Sequence, residues 1–111
     1  MGKPKKGGYP PPQPRVLYIT IENGKIDNAA AEIAWGDSVV WTNKDAVSYT
    51  LERFKPDPPN KTWVELKPDA TSAPMVFNWS SPLGKDPVVY EYGMPPPGAK
   101  ATITAQFSRF E

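Results

Sequence analysis

The chain has 111 residues and a formal net charge of +1, which suits one compact domain with a modest core and gives no overall basic field for nucleic acid. It contains no cysteine and no histidine, so disulfides, zinc fingers, iron–sulfur clusters and catalysis by Ser-His-Asp or Cys-His groups are excluded. Any metal site would have to use carboxylate, carbonyl, phenol or thioether ligands.

The first fifteen residues differ in composition from the rest of the chain. They combine prolines and a Gly-Gly pair with basic residues and no acidic residue. The basic residues are Lys3, Lys5, Lys6 and Arg15. This composition predicts a flexible, basic, proline-rich arm over residues 1–15, followed by one folded domain over residues 16–111. No apolar run reaches the length of a membrane span, so none is expected.

Apolar residues in the first half of the domain recur with the period of two that strands require. Residues 16–21 alternate in this way and end at the turn signal Asn23-Gly24. The alanine-rich residues 28–32 are the one candidate for a short helical turn. Two further strands are predicted over residues 31–35 and 39–43.

The second half of the domain predicts five more strands between clusters of proline. These strands cover residues 47–54, 62–66, 75–79, 88–92 and 100–107. Fifteen prolines leave little room for long helices. Seven to eight short strands without helices predict an all-β fold, specifically an antiparallel Greek-key β-sandwich.

One strand and its flanking turns resemble a known family. Residues 35–45 read W-G-D-S-V-V-W-T-N-K-D, which is similar to the G-D-x-V-x-W-x-N-x-D segment of small cupredoxins of the plastocyanin and amicyanin type. Residues 66–70 and the region around Gly98 match the same family more loosely. The resemblance covers most of residues 16–107 and implies a cupredoxin-like fold.

The resemblance also identifies what this chain lacks. In the family, the first segment leads to a copper-binding histidine, and Tyr49 stands at that position here. The later pattern places Tyr92 at the copper-binding cysteine, Pro95 near the second histidine and Gly98 near the axial methionine. A blue-copper centre needs a thiolate and two imidazoles. The resemblance therefore implies the fold of the family but not its electron transfer through copper. No cofactor is expected.

The end of the domain that holds copper in the family is the candidate functional region. In copper-bearing relatives an apolar surface around this end docks partners, so the resemblance implies that the docking face can persist without the metal. The candidate interaction residues are Tyr49, Tyr92, Met94, Pro95, Pro96 and Pro97. We therefore predict a copper-free, non-enzymatic binding domain whose partner is another protein, with the oligomeric state left open.

Two other functions stay open at this stage. The first is metal handling or electron transfer at a site of phenol oxygens and a thioether, with Tyr49 and Tyr92 close together and Met94 beside them. The second is carbohydrate binding by an exposed tryptophan, since four tryptophans are many for this length. The tryptophans are Trp35, Trp41, Trp63 and Trp79. Core packing explains each of these aromatic residues more simply.

The acidic residues offer no obvious enzyme site. Glycoside hydrolysis needs two carboxylates that face each other across a cleft, and the acids of this chain are scattered. Asp37 and Asp45 are instead expected to accept hydrogen bonds in turns.

The compartment is indicated only by the resemblance. Cupredoxins are usually exported, which implies a periplasmic or secreted protein. Met1 is followed by no signal-peptide pattern, so a cytoplasmic location stays open.

Overall fold

A computed structural model of the chain describes residues 14–79 and 87–107. These residues form nine strands and no helix, and hence no helix that could cross a membrane. The strands are β1 (Val16–Glu22), β2 (Lys25–Ile26), β3 (Ala30–Ala34), β4 (Ser38–Asn43), β5 (Tyr49–Lys55), β6 (Asn60–Leu66), β7 (Met75–Val76), β8 (Val88–Gly93) and β9 (Lys100–Gln106). The predicted arm falls mostly on residues 1–13, outside the described part of the chain.

The strands form two sheets that enclose one core. The first sheet has four strands in the order β2-β1-β4-β7, and the second has five in the order β3-β9-β8-β5-β6. The predicted β-sandwich is confirmed. The strand predicted over residues 75–79 is shortened to β7, and the two-residue β2, which was not predicted, brings the number of strands in the described residues to nine, above the seven to eight expected.

Each sheet is mixed, whereas the sequence predicted antiparallel sheets. β1 runs parallel to β4, and β3 runs parallel to β9. Parallel neighbours cannot be joined by a hairpin. The chain accordingly leaves β1 through its hairpin with β2, crosses to the other sheet as β3, and returns as β4 beside β1. Alternation along a strand indicates which face is buried, but it carries no information about the direction of the neighbouring strand.

The turn at Asn23-Gly24 forms as predicted and joins β1 to β2. Its residues have positive φ angles of 57° and 70°. A two-residue hairpin turn of this kind requires left-handed conformations, which asparagine and glycine adopt at low cost.

The helical turn expected over residues 28–32 is wrong. This part of the chain enters β3, in which Ala31 and Ile33 are buried in the core. Asn28 has a positive φ of 49°, which is incompatible with a right-handed helix. A single helical turn is marginal in water, so burial of alternate residues on a sheet outweighs the helix preference of alanine.

The core between the sheets is rich in aromatic rings. Trp41 of β4 is fully buried, and its ring lies 5.5 Å from that of Trp63 and 5.7 Å from that of Tyr92, measured between centroids. Such edge-to-face contacts stabilise a core beyond the area they bury. The connected rings, called the aromatic cluster below, are Trp35, Trp41, Trp63, Phe77, Trp79, Tyr90, Tyr92 and Phe107.

Strand direction and register bring four connecting segments to one end of the sandwich. β1 and β4 point the same way, so the segments that follow them lie together. β5 begins at this end, and β6 and β8 finish there, because both are antiparallel to β5. The four segments, called the loop end below, are residues 23–24, 44–48, 67–70 and 94–99.

Candidate functional site

A buried asparagine organises the loop end. Asn43 is the last residue of β4, and its side chain is fully buried. Its Nδ2 donates hydrogen bonds to the carbonyls of Val47 at 2.7 Å and Lys67 at 3.1 Å. Its Oδ1 accepts a hydrogen bond from the backbone N–H of Asp45 at 2.9 Å. A buried amide needs partners for both its donors and its acceptor, so this one side chain joins two loops.

Asp45 joins the same loop to the first turn, as expected for an acid placed in a turn. Its Oδ1 accepts a hydrogen bond from the backbone N–H of Asn23 at 2.7 Å, and its Oδ2 accepts one from Gly24 at 2.9 Å. The Tyr49 hydroxyl donates to the same Oδ2 at 2.7 Å. Tyr49 therefore contributes to the bonding that shapes the loop end.

The hydrogen bond between Asp45 and Tyr49 shifts the pKa values of the two groups in opposite directions. Hydrogen bonds from the Tyr49 hydroxyl and then from two backbone N–H groups lower the pKa of Asp45 below 3.8. The same bond to Asp45, with a smaller effect of burial, raises the pKa of Tyr49 above 10.0. The arrangement favours a carboxylate beside a neutral phenol. At neutral pH Tyr49 is thus a hydrogen-bond donor and not a phenolate ligand.

Tyr92 belongs to the aromatic cluster and does not reach the surface. Its side chain is fully buried, and its hydroxyl oxygen accepts a hydrogen bond from Trp41 Nε1 at 3.2 Å. Burial raises the pKa of Tyr92 to about 12, although the bond from Trp41 acts in the opposite direction. The expectation that Tyr92 contributes directly to an interaction surface therefore has to be corrected.

β8 leads into a tight, apolar loop. The backbone N–H of Met94 donates to the carbonyl of Ala99 at 2.9 Å, and that of Gly98 donates to Pro95 at 2.8 Å. A Cβ at Gly98 would lie 2.6 Å from Cβ of Met94, so a larger residue would displace the loop. Met94 is 6% exposed and supports the loop from inside, so its prediction as a surface interaction residue has to be corrected as well. Residues 95–97 are exposed.

The two phenols that the resemblance placed at the copper site do not form a pair. Tyr92 is the register partner of Arg53, four residues further along β5 than Tyr49. That separation corresponds to about 13 Å along a strand. The hydroxyls of Tyr49 and Tyr92 bond to different groups, Asp45 and Trp41. Within residues 14–79 and 87–107 no ring contact joins them.

The residues of the loop end do not fit a blue-copper centre. The thiolate and the two imidazoles that such a centre needs do not occur in the sequence. The Tyr49 hydroxyl is bonded to a carboxylate, and the prolines at 95–97 carry no ligand atom in their side chains. In the part of the chain that the structure describes, no three Asp, Glu, His or Cys side chains are grouped to hold a metal ion.

The four tryptophans differ in exposure. Trp41 is fully buried, and Trp35 and Trp63 are half-buried within the aromatic cluster. Trp79 is 37% exposed, with its ring 5.2 Å from that of Phe107. Of the four, Trp79 is the most exposed. Carbohydrate binding stays a prediction.

At the opposite end of the sandwich, Asp37 accepts hydrogen bonds as expected for its turn. Its Oδ2 accepts the backbone N–H of Ala34 at 3.0 Å, and its Oδ1 accepts that of Arg15 at 2.9 Å. The carbonyl of Arg15 in turn accepts the N–H of Ser38 at 2.9 Å. This carboxylate therefore fixes the entry of the chain into β1.

Sequence reasoning gave no role to Asn43, although it lies within the segment that carries the resemblance. The available signal was its position: in β4 it follows Val39 and Trp41 on the inward face of an alternating strand. A polar side chain at such a core position has to bond to nearby backbone groups, and here those groups belong to loops.

Comparison with known proteins identifies the fold. No protein-family model and no curated protein matches the sequence. Among solved structures, amicyanin from Paracoccus versutus (Thiobacillus versutus) is 16% identical, with 90% of this chain and 87% of that chain covered and a TM-score of 0.65. A reduced Cu(I) mutant of amicyanin at pH 4 and an oxidised mutant of amicyanin are 14% and 16% identical over 82% of both chains, with TM-scores of 0.64 and 0.63. The chain has a cupredoxin-like fold, and the prediction from residues 35–45 is confirmed.

Proposed function

We propose that the protein is a copper-free, non-enzymatic binding domain that docks another protein through its loop end. The docking surface consists of Val47 and residues 95–97, and Tyr49 supports it through Asp45. The proposed compartment is the periplasm or the extracellular space, in line with the resemblance to exported cupredoxins.

The exposed apolar surface of the loop end carries this proposal. The Val47 side chain is 54% exposed, and residues 95–97 are exposed on a loop at the same end. Lys44 and Lys67 are exposed on the segments beside them. An apolar centre with charged groups at its margin is typical of surfaces that bind proteins.

Internal bonding supports the same proposal, because it holds the surface in shape before a partner arrives. Asn43 and Asp45 fix residues 44–48. Met94 anchors the neighbouring loop from inside, and each proline has a restricted φ. Association then orders few additional groups, which lowers its entropic cost.

Site-specific photocross-linking in cells of the source organism tests the docking surface. A photoreactive amino acid is placed at Pro96 and, as a matched control, at Glu65, which is exposed on β6. We expect a protein partner to be cross-linked from Pro96 and not from Glu65. Excess unmodified protein should compete for this partner, whereas the variant Pro95→Glu should compete poorly, because it adds a charge to an apolar contact.

Two results would contradict the proposed function. The first is equal cross-linking from Pro96 and Glu65. The second is full competition by Pro95→Glu when its melting temperature equals that of the unmodified protein. The variant Pro95→Ala serves as a control, since it changes the side chain without adding charge and should retain most of the competition.

A further inference from the structure

A second candidate site lies on the outer face of the five-stranded sheet. Tyr92 of β8 and Ala101 of β9 are register partners, and both side chains are buried in the core. Their outer side therefore consists of backbone, which forms the floor of a groove. The next pair, Glu91 and Thr102, points to the outer face and borders the groove, whose volume is about 340 Å³.

A β-bulge brings an aromatic ring to the opposite side of this groove. β5 shifts its register against β8 between Arg53 and Lys55, so Phe54 is an extra residue at this point. A bulge re-aims the side chain of the strand that carries it. The Lys100 ammonium lies 5.8 Å from the centroid of the Phe54 ring, within the range of a cation–π interaction. Phe54 and Lys100 thus border the groove together.

Two opposite charges line the groove without neutralising each other. Glu91 and Lys100 are diagonal neighbours on β8 and β9, so their side chains leave the backbone at points roughly 7–8 Å apart. Lys55 is the register partner of Glu91, but its Nζ lies 3.8 Å from Asp57 Oδ2. Among the residues that the structure describes, no ion pair joins Glu91 to Lys55 or to Lys100. The carboxylate and the ammonium therefore face the groove as separate groups.

We propose that this groove binds a free α-amino acid with an apolar side chain. The ligand ammonium pairs with Glu91, the ligand carboxylate pairs with Lys100, and the ligand side chain packs beside the Phe54 ring. A zwitterion satisfies both protein charges at once, whereas a simple anion is repelled by Glu91 and a simple cation by Lys100. The Thr102 hydroxyl is available as a further hydrogen-bonding group.

The dimensions of the groove fit a ligand of this size. A volume of about 340 Å³ is at the small end of the roughly 300–1,000 Å³ that small-molecule sites span. Glu91 and Lys100 are exposed to water, so each ion pair contributes weakly. We therefore expect millimolar affinity, with selectivity set by the need for both charges.

An NMR titration of the ¹⁵N-labelled protein with L-phenylalanine tests the site. We expect saturable chemical-shift changes that are confined to the backbone amides of β8, β9 and the bulge at Phe54. Phenethylamine, which has only the positive charge, and 3-phenylpropionate, which has only the negative charge, should bind more weakly. The variants Glu91→Gln and Lys100→Met should each weaken L-phenylalanine binding about two- to fivefold, the value of one exposed ion pair.

Matched variants and the location of the shifts decide the outcome. Glu65→Gln and Lys61→Met remove exposed charges from β6, outside the groove, and should leave the affinity unchanged. Three results would each overturn the proposal: no saturable shifts, equal binding of either singly charged analogue, or unchanged affinity in both groove variants. Saturable shifts at the loop end instead of the groove would overturn it as well. The first three results leave protein docking at the loop end unaffected, and the cross-linking experiment tests that docking separately.

Discussion

Polar side chains hold the loop end of this sandwich, whereas ring contacts hold the aromatic cluster. At the loop end, Asn43 and Asp45 bond to backbone groups of three segments. In the aromatic cluster, Trp41 and Tyr92 are fully buried, and one side-chain hydrogen bond joins them. The first region gains a defined shape from directional bonds, and the second gains stability from buried area.

We expect hydrogen bonds between protein groups to hold the loop end of this cupredoxin-like fold in shape without a metal ion. Asn43 and Asp45 connect three of its four segments, and backbone bonds within residues 94–99 hold the fourth. The buried rings of the aromatic cluster contribute stability from a different part of the core. Mutations in the two regions should therefore differ both in the size of their effect and in how far the effect spreads.

The largest loss of stability is expected from removing the central ring of the aromatic cluster. Trp41→Ala deletes a fully buried side chain that contacts the rings of Trp63 and Tyr92. The cost should be about 3–5 kcal/mol, as for other buried aromatic residues. Urea denaturation measures it. A loss below about 1 kcal/mol would mean that the cluster does not supply the stability of the domain.

Alkaline pH should weaken the same region. The pKa of Tyr92 in the folded protein is about 12, above the usual 10.0. The neutral phenol therefore stabilises the fold below pH 10.0, and this stabilisation is lost as the pH rises toward 12. Two pKa units correspond to roughly 3 kcal/mol. The free energy of unfolding should therefore fall over this interval. Tyr92→Phe should reduce that fall, with Tyr90 and Tyr49, whose pKa values are also raised, accounting for the rest. An unchanged fall in this variant would contradict the assignment.

Loss of the central polar residue of the loop end should have a smaller effect. Asn43→Ala leaves the carbonyls of Val47 and Lys67 without their partner, which should cost about 2–3 kcal/mol. Hydrogen exchange should accelerate mainly at the loop end. Asn60→Ala is the matched control, because its side chain makes an exposed bond to Thr62 N–H, and it should cost less than about 1 kcal/mol. Equal losses of stability in the two variants would show that Asn43 does not organise the loop end.

Removal of the Tyr49 hydroxyl should have the smallest effect on the free energy of unfolding. Tyr49→Phe removes one bond to Asp45 and should cost about 1 kcal/mol. Tyr18→Phe is the control, since Tyr18 is 69% exposed, and its effect should be within about 0.5 kcal/mol. Urea denaturation compares the two variants.

Acid gives an independent check of the same bond. The pKa of Asp45 is lowered in the folded state, so this group stabilises the fold above pH 3.8. The stabilisation is lost as the pH falls through the folded pKa. Tyr49→Phe should reduce this acid sensitivity, since the Tyr49 hydroxyl is the main cause of the shift. An unchanged acid profile in the variant would show that the bond does not form in solution.

The sequence predicted the sandwich well because alternation and turn chemistry are local signals. Residues 16–21, 39–43 and 100–107 all proved to be strands within one or two residues of the expected bounds. The direction of neighbouring strands was missed, because it depends on crossovers between sheets. The helical turn at 28–32 was wrong because tertiary burial outweighed local propensity.

The candidate site was predicted less completely than the fold. Residues 95–97 are exposed as a surface requires, but Tyr92 lies in the core, two residues before the buried Met94. Alternation along β8 turns the Tyr92 side chain inward, and Met94 is buried directly after the strand ends. Matching to a family pattern did not take this burial into account. The groove beside Phe54 depends on a bulge, a feature that the strand pattern does not encode.

The most direct test of the central claim is hydrogen exchange at the loop end in chelator-treated protein, before and after copper is added. The amides to follow are those of Asn23 and Gly24, bonded to the Asp45 carboxylate, and of Asp45, bonded to the Asn43 side chain. We predict that they are protected without metal, that copper leaves the protection unchanged, and that Asn43→Ala reduces it. Loops that become protected only when copper is added would contradict the account.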